Sequence, residues 1–99
     1  MSKFEKIMDL YRVILSLESV EECADFFEDL CTVSELKEMS RRMEAARMLR
    51  ANAVYADIAS RTGLSTATIS RVNRSLIYGC DAYQMVFSRM DAEPDDKAE

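Results

Sequence analysis

The stretch YADIASRTGLSTATISRVNR, Tyr55 to Arg74, decides the fold. Its spacing meets the demands of a helix-turn-helix, two short helices crossing closely around a tight turn. The first helix needs a small residue at the crossing, and Ala59 supplies it. The turn needs a residue that tolerates positive φ, and Gly63 follows four positions later. Apolar side chains must pin the helices together, and Ile58, Leu64, Ile69 and Val72 fall at that spacing. Thr62 departs from the pattern, standing where a longer apolar side chain is common. Ser65 and Thr66 are good N-caps for the second helix. The motif is expected over about residues 54–77.

The second helix divides by face. Ile69, Val72 and Leu76 share its inner side, while Thr66, Ala67, Ser70, Arg71 and Arg74 share the outer one. No acid occurs from Leu64 to Cys80. Small hydroxyl side chains at the start of such a helix allow close approach to base edges in a major groove. Arginines supply bidentate guanine or phosphate contacts, and the helix N-terminus adds a dipole favourable to phosphate. The predicted contact set to double-stranded DNA is Ser65, Thr66, Ala67, Thr68, Ser70, Arg71, Asn73 and Arg74. Thr66, Ala67, Ser70 and Arg71 are expected at bases or adjacent backbone, and Asn73 and Arg74 nearer phosphate. Similar helix pairs also occur in proteins that bind no DNA, and a Ser/Arg face also suits simple solvation. A protein-interaction adaptor that keeps a helical dimer without DNA therefore stands as the alternative.

The net charge of −5 supports that alternative, but its distribution does not. Between Ser34 and Tyr78 eight basic residues face four acids, so that segment is +4 and the rest of the chain −9. An acidic body with one basic face suits a partner made of phosphate. With no histidine, no glycine-rich loop and no metal-ligand spacing, nothing resembles a catalytic constellation; no enzyme activity, cofactor or metal is expected. Cys23, Cys31 and Cys80 form no CxxC pair and are expected as reduced, buried thiols in a cytoplasmic protein. No apolar run approaches the roughly 18 residues of a membrane span, and the first residues do not read as an export signal.

Around the motif the chain reads as all-α, with six helices and a single domain over residues 1–90. Two Gly and one Pro leave few helix breakers. Ser2/Glu5, Ser19/Glu22 and Thr32/Glu35 are capping boxes that open helices over about Lys3–Leu17, Ser19–Leu30 and Thr32–Ala51. On the first, Phe4, Ile7, Met8, Tyr11, Ile14 and Leu15 form a stripe that Leu10, Val13 and Leu17 widen beyond what one neighbour covers. On the second, Val20, Cys23, Phe27 and Leu30 are expected to face inward, with Phe26 beside them. On the third the inner face is Leu36, Met39, Met43, Ala46 and Leu49, and the arginines lie outside. The short helices of the motif follow at about Val54–Arg61 and Thr66–Ile77. Tyr78-Gly79 is a stop in which Gly79 is expected to turn left-handed. A last helix over about Asp81–Met90 turns Tyr83, Val86, Phe87 and Met90 to one side, and residues 91–99 read as an acidic, disordered tail. With 48% hydrophobic residues in 99, dimerisation is one way to bury the surplus.

The segment TGLSTATISRVNRSL, with ARMLR at Ala46–Arg50 and CTVSELKEMSRR at Cys31–Arg42, resembles the Trp-repressor superfamily and, within it, the YerC/YecD subgroup. That resemblance implies an intertwined homodimer acting as a bacterial transcription regulator of the repressor type. The first, second, third and last helices would interlock between subunits, and the fourth and fifth would form the reading head. It also implies an effector pocket. In the Trp repressor two arginines sandwich the indole of bound tryptophan; Arg71 matches one, and Arg41 or Arg42 the other. Thr68 and Ser75 match neighbours of that pocket. Val72 stands where the tryptophan binder has glycine, so the effector is left unassigned and free tryptophan is not expected to be it.

Overall fold

The computed structural model describes residues 2–92. Six helices are present among them: α1 (Lys3–Leu15), α2 (Val20–Leu30), α3 (Val33–Arg50), α4 (Tyr55–Thr62), α5 (Thr66–Tyr78) and α6 (Ala82–Ala92). No strand occurs among the described residues. The chain divides after Leu36 into two compact units.

In the first unit the helix starts are set by hydroxyl caps. Ser2 Oγ accepts from the Glu5 N–H at 3.1 Å and Ser19 Oγ from the Glu22 N–H at 3.1 Å. The Glu22 carboxylate accepts from the Glu18 N–H rather than from Ser19, so that box is displaced by one residue. Thr32/Glu35 closes in both directions: Thr32 Oγ1 accepts from Glu35 N at 3.1 Å and Glu35 Oε1 from Thr32 N at 2.8 Å. These hydrogen bonds hold the Glu35 carboxyl below its ordinary pKa, the Thr32 backbone donor contributing most. Helix α1 stops two residues short of the expected Leu17, because the Ser16 hydroxyl turns back to donate to the Val13 carbonyl at 2.6 Å.

Neither α1 nor α2 buries a single residue. Leu15 is 85% exposed, and Phe4, Tyr11, Val20 and Leu30 are exposed as well. The expected inner positions Val20 and Leu30 therefore face outward in a single chain. Cys23 and Cys31 are only half-buried, and in the second unit Cys80 is exposed, against the expectation of buried thiols; all three are unpaired.

The second unit holds the core. Ala45, Ala46, Ile58, Leu64, Ile69, Val72 and Phe87 form one buried cluster, with Met48, Leu49, Ala53, Tyr55, Ala59 and Tyr83 packed around it. Helix α4 packs on α5 and α5 on α6. Ala45 and Ala46, in succession on α3, are fully buried in this cluster. The methionines expected beside them, Met39 and Met43, are exposed and instead line open clefts. Val86 and Met90 of the expected α6 face are likewise exposed, leaving Phe87 as that helix's buried anchor.

Two arginines of α3 are not simply solvated. The Arg47 and Arg50 guanidinium carbons lie 5.0 and 5.9 Å from the centre of the Phe87 ring. Arg50 also donates to Gln84 Oε1, Ser88 Oγ and Asp91 Oδ2, the last at 2.8 Å. Asp91 and Ala92 therefore belong to α6 rather than to an unstructured tail; the rest of the expected tail, 93–99, lies outside the described residues. Gly79 is not left-handed: its φ is −79°, and the positive φ falls on Asp81 at 62°. Glycine is required at 79 for space, because a Cβ there would run into the Ser75 carbonyl oxygen.

Candidate nucleic-acid interface

Helix α4 ends at Gly63, whose φ of 76° is left-handed and whose N–H donates to the Ala59 carbonyl at 2.9 Å. A Cβ at Gly63 would meet nothing, so the position asks for glycine through its backbone angle alone. Thr62 is buried, and its hydroxyl is satisfied on both sides: it donates to the Ile58 carbonyl at 2.7 Å and accepts from the Leu64 N–H at 3.2 Å. The departure at Thr62 thus replaces an apolar contact by two hydrogen bonds that fix the turn. Ile58, Leu64, Ile69 and Val72, the four expected pins, are all buried.

Helix α5 starts at Ser65, whose Oγ accepts from the Thr68 N–H at 3.1 Å and donates to Thr68 Oγ1 at 3.0 Å. The Ser65 and Thr68 hydroxyls are thereby engaged in holding the helix start. Thr66, Ala67, Ser70, Arg71 and Arg74 are all exposed, and Asn73 is half-buried. Ala67, Ser70, Arg71 and Arg74 border a shallow hollow of about 210 Å³ on the outward face. Ile69, Val72 and Leu76 are buried on the opposite side.

The charges are unevenly paired. Among the described residues the ion pairs are Arg50–Asp91 and Arg61–Glu44. The second, at 3.2 Å, is exposed on both sides and contributes little to stability. Glu44 thus turns to Arg61 rather than to its neighbours on α3. Arg41, Arg42, Arg71 and Arg74 have no ion-pair partner among the described residues, and α5 carries no acid.

A second feature lies on the inner flank of α5. Arg42 and Arg71 line an open cleft of about 350 Å³ together with Met39, Val72, Ser75 and Tyr83. Of the two candidates on α3, it is Arg42 that shares this cleft with Arg71; neither Arg41 nor Thr68 lines it. Tyr83, on α6, gave no sequence signal for this place, because only the fold brings it there. Val72 is 4% exposed and belongs to the core cluster. Among the described residues no group of three His, Cys, Asp or Glu side chains is placed to hold a metal ion, and no helix is long and apolar enough to cross a membrane.

Four known proteins or families are similar to this chain. The sequence profile of the family described as Trp repressor protein matches residues 5–91. The chain is 50% identical over 86 residues to the uncharacterized protein YerC of Bacillus subtilis (strain 168), spanning 87% of this chain and 83% of YerC. A crystal structure of a TrpR-like protein from Eubacterium eligens ATCC 27750 superposes with a TM-score of 0.86 at 51% identity, covering 93% of this chain and 95% of the other. A candidate Trp repressor from Staphylococcus aureus matches with a TM-score of 0.82 at 46% identity, over 94% and 98% of the two chains.

Proposed function

Because this chain belongs to the Trp repressor family of helical DNA-binding regulators, we propose that it is a sequence-specific transcription regulator that grips double-stranded DNA as a homodimer. The observation that carries this reading is the outward face of α5: two arginines without an ion-pair partner among the described residues, flanked by small and hydroxyl side chains, on a helix with no acid. In this reading Thr66, Ala67, Ser70 and Arg71 meet base edges or the adjacent backbone, and Asn73 and Arg74 meet phosphate. Ser65 and Thr68 contribute chiefly by fixing the helix start. The protein binds rather than catalyses, and works in the cytoplasm, where DNA is. Salt-dependent binding of duplex DNA by the full chain tests it; an adaptor that has lost DNA shows none.

Unburied apolar surface supports the dimer. Helices α1 and α2 bury no residue. In the second unit, Met43, Cys80, Tyr83, Val86 and Phe87 line an uncovered apolar cleft of about 380 Å³. Large apolar areas left open to water are rare on monomers. Light scattering at micromolar protein is expected to give twice the 11.3 kDa chain mass; an 11.3 kDa particle contradicts the dimer.

Arg42 and Arg71 remain able to flank a small effector, but free tryptophan is not that effector. Val72 puts a β-branched side chain where the family's tryptophan binder has none, and the core holds it in place. Displacing packed side chains to seat an indole costs about 1–3 kcal/mol. Calorimetry with millimolar tryptophan is expected to show no heat of binding, and DNA affinity to stay unchanged. Micromolar tryptophan affinity coupled to tighter DNA binding contradicts this.

A further inference from the structure

We propose that Tyr78 extends the DNA-facing surface of α5 beyond the helix-turn-helix onto the sugar-phosphate backbone, its phenol O–H donating to a phosphate oxygen. The inference rests on the DNA-binding reading and adds a contact that the motif does not include.

Helix α5 runs through Tyr78, one residue past its expected end. At 3.6 residues per turn, Ala67, Arg71, Arg74 and Tyr78 project within about 60° of one another. Tyr78 therefore continues the stripe that carries both arginines, and it is 82% exposed. Its ring carries a polar handle, the phenol hydroxyl, at the outer end of that stripe. Its place at the end of the stripe is fixed, because α5 stops immediately afterwards at Gly79, where any Cβ would strike the Ser75 carbonyl oxygen.

Dimensions select the backbone rather than the bases. From Thr66 to Tyr78 the helix rises about 18 Å at 1.5 Å per residue. A B-form major groove is about 8.5 Å deep. A helix that enters by its N-terminus uses up that depth in roughly six residues, near Val72. Arg74 then stands about 3 Å above the rim and Tyr78 about 9 Å above it, from where its long side chain, tilted toward the helix N-terminus, reaches back to the phosphates. Tyrosine hydroxyls are ordinary donors to phosphate oxygens, and a hydrogen bond to a charged acceptor is among the stronger ones.

The test compares the full-length wild type with Tyr78→Phe and Arg74→Ala, binding sheared bulk duplex DNA across a salt series. Tyr78→Phe removes one exposed oxygen and leaves the fold intact, which an unchanged melting curve verifies. It is expected to weaken binding about tenfold at every salt concentration with an unchanged salt slope, since no charge is lost. Arg74→Ala is expected to flatten the slope. Wild-type binding that Tyr78→Phe leaves unaltered overturns the inference alone, as does a Tyr78→Phe variant whose loss of affinity traces to a halved particle mass. Absence of salt-dependent binding by the wild type overturns the DNA reading and this inference with it.

Discussion

Replacing both outward arginines of α5, Arg71→Ala with Arg74→Ala, is expected to weaken DNA binding by about a hundredfold or more, while the melting temperature stays close to wild type. Both side chains are exposed and neither has an ion-pair partner among the described residues, so their removal leaves no orphaned charge behind. A dimer loses four cationic contacts at once. A contact to phosphate carries about one counterion unit of salt dependence, and a contact to guanine carries about 1–3 kcal/mol of discrimination. The single variants separate the two roles. Loss at Arg74 should weaken all sequences alike and flatten the salt slope. Loss at Arg71 should relax sequence preference if it reads a guanine, and behave like Arg74 if it meets phosphate. A double variant that binds as the wild type does, with the same salt slope, removes both roles and leaves the adaptor reading standing.

The second large effect is on stability. Ile58 is fully buried, and it ties α4 to the cluster of Ala45, Ala46, Leu64, Ile69, Val72 and Phe87. Ile58→Ala is expected to cost about 2–5 kcal/mol through lost transfer energy and the cavity left behind. Small domains have only about 5–15 kcal/mol in total, so the urea midpoint should fall sharply, and DNA binding should fail wherever the unit unfolds. A midpoint within error of wild type contradicts the placement of Ile58 at the centre of the core.

The reading head was legible in the sequence because its constraints are local. A left-handed turn needs Gly63, a helix start needs Ser65, and four apolar pins at helical spacing need burial, which the structure gives them. Features that depend on hydrogen bonding, on local space or on distant partners were not legible. The bonding of Thr62 to Ile58 and Leu64 is short-range, but in an apolar pattern its hydroxyl reads only as a departure, because such a pattern weighs burial before hydrogen bonding. Gly79 read as a conformational stop, whereas what it provides is space against the Ser75 carbonyl. The tie from Arg50 to Gln84, Ser88 and Asp91 spans more than thirty residues of sequence, which periodicity along one helix does not register. For the same reason Asp91 read as the start of a tail rather than as the last turn of α6. The choice of Arg42 over Arg41 beside Arg71 turns on a one-residue rotation of α3, about 100° of helix face. The exposure of Val20, Leu30, Met39 and Met43 has a different origin. Periodicity identifies an apolar face but does not say whether the same chain or a second copy covers it.

Selection of bound duplexes from a random-sequence library, using the full-length protein, tests the central claim most directly. A two-fold dimer reading DNA through paired α5 helices predicts enrichment of a pseudo-palindrome. Its half-sites should lie about 34 Å apart, a spacing that helix-turn-helix dimers share and that the Trp repressor itself exemplifies. Enrichment should be lost with Arg71→Ala. A library that emerges without any enriched sequence, at salt low enough for non-specific binding to register, contradicts a sequence-specific regulator.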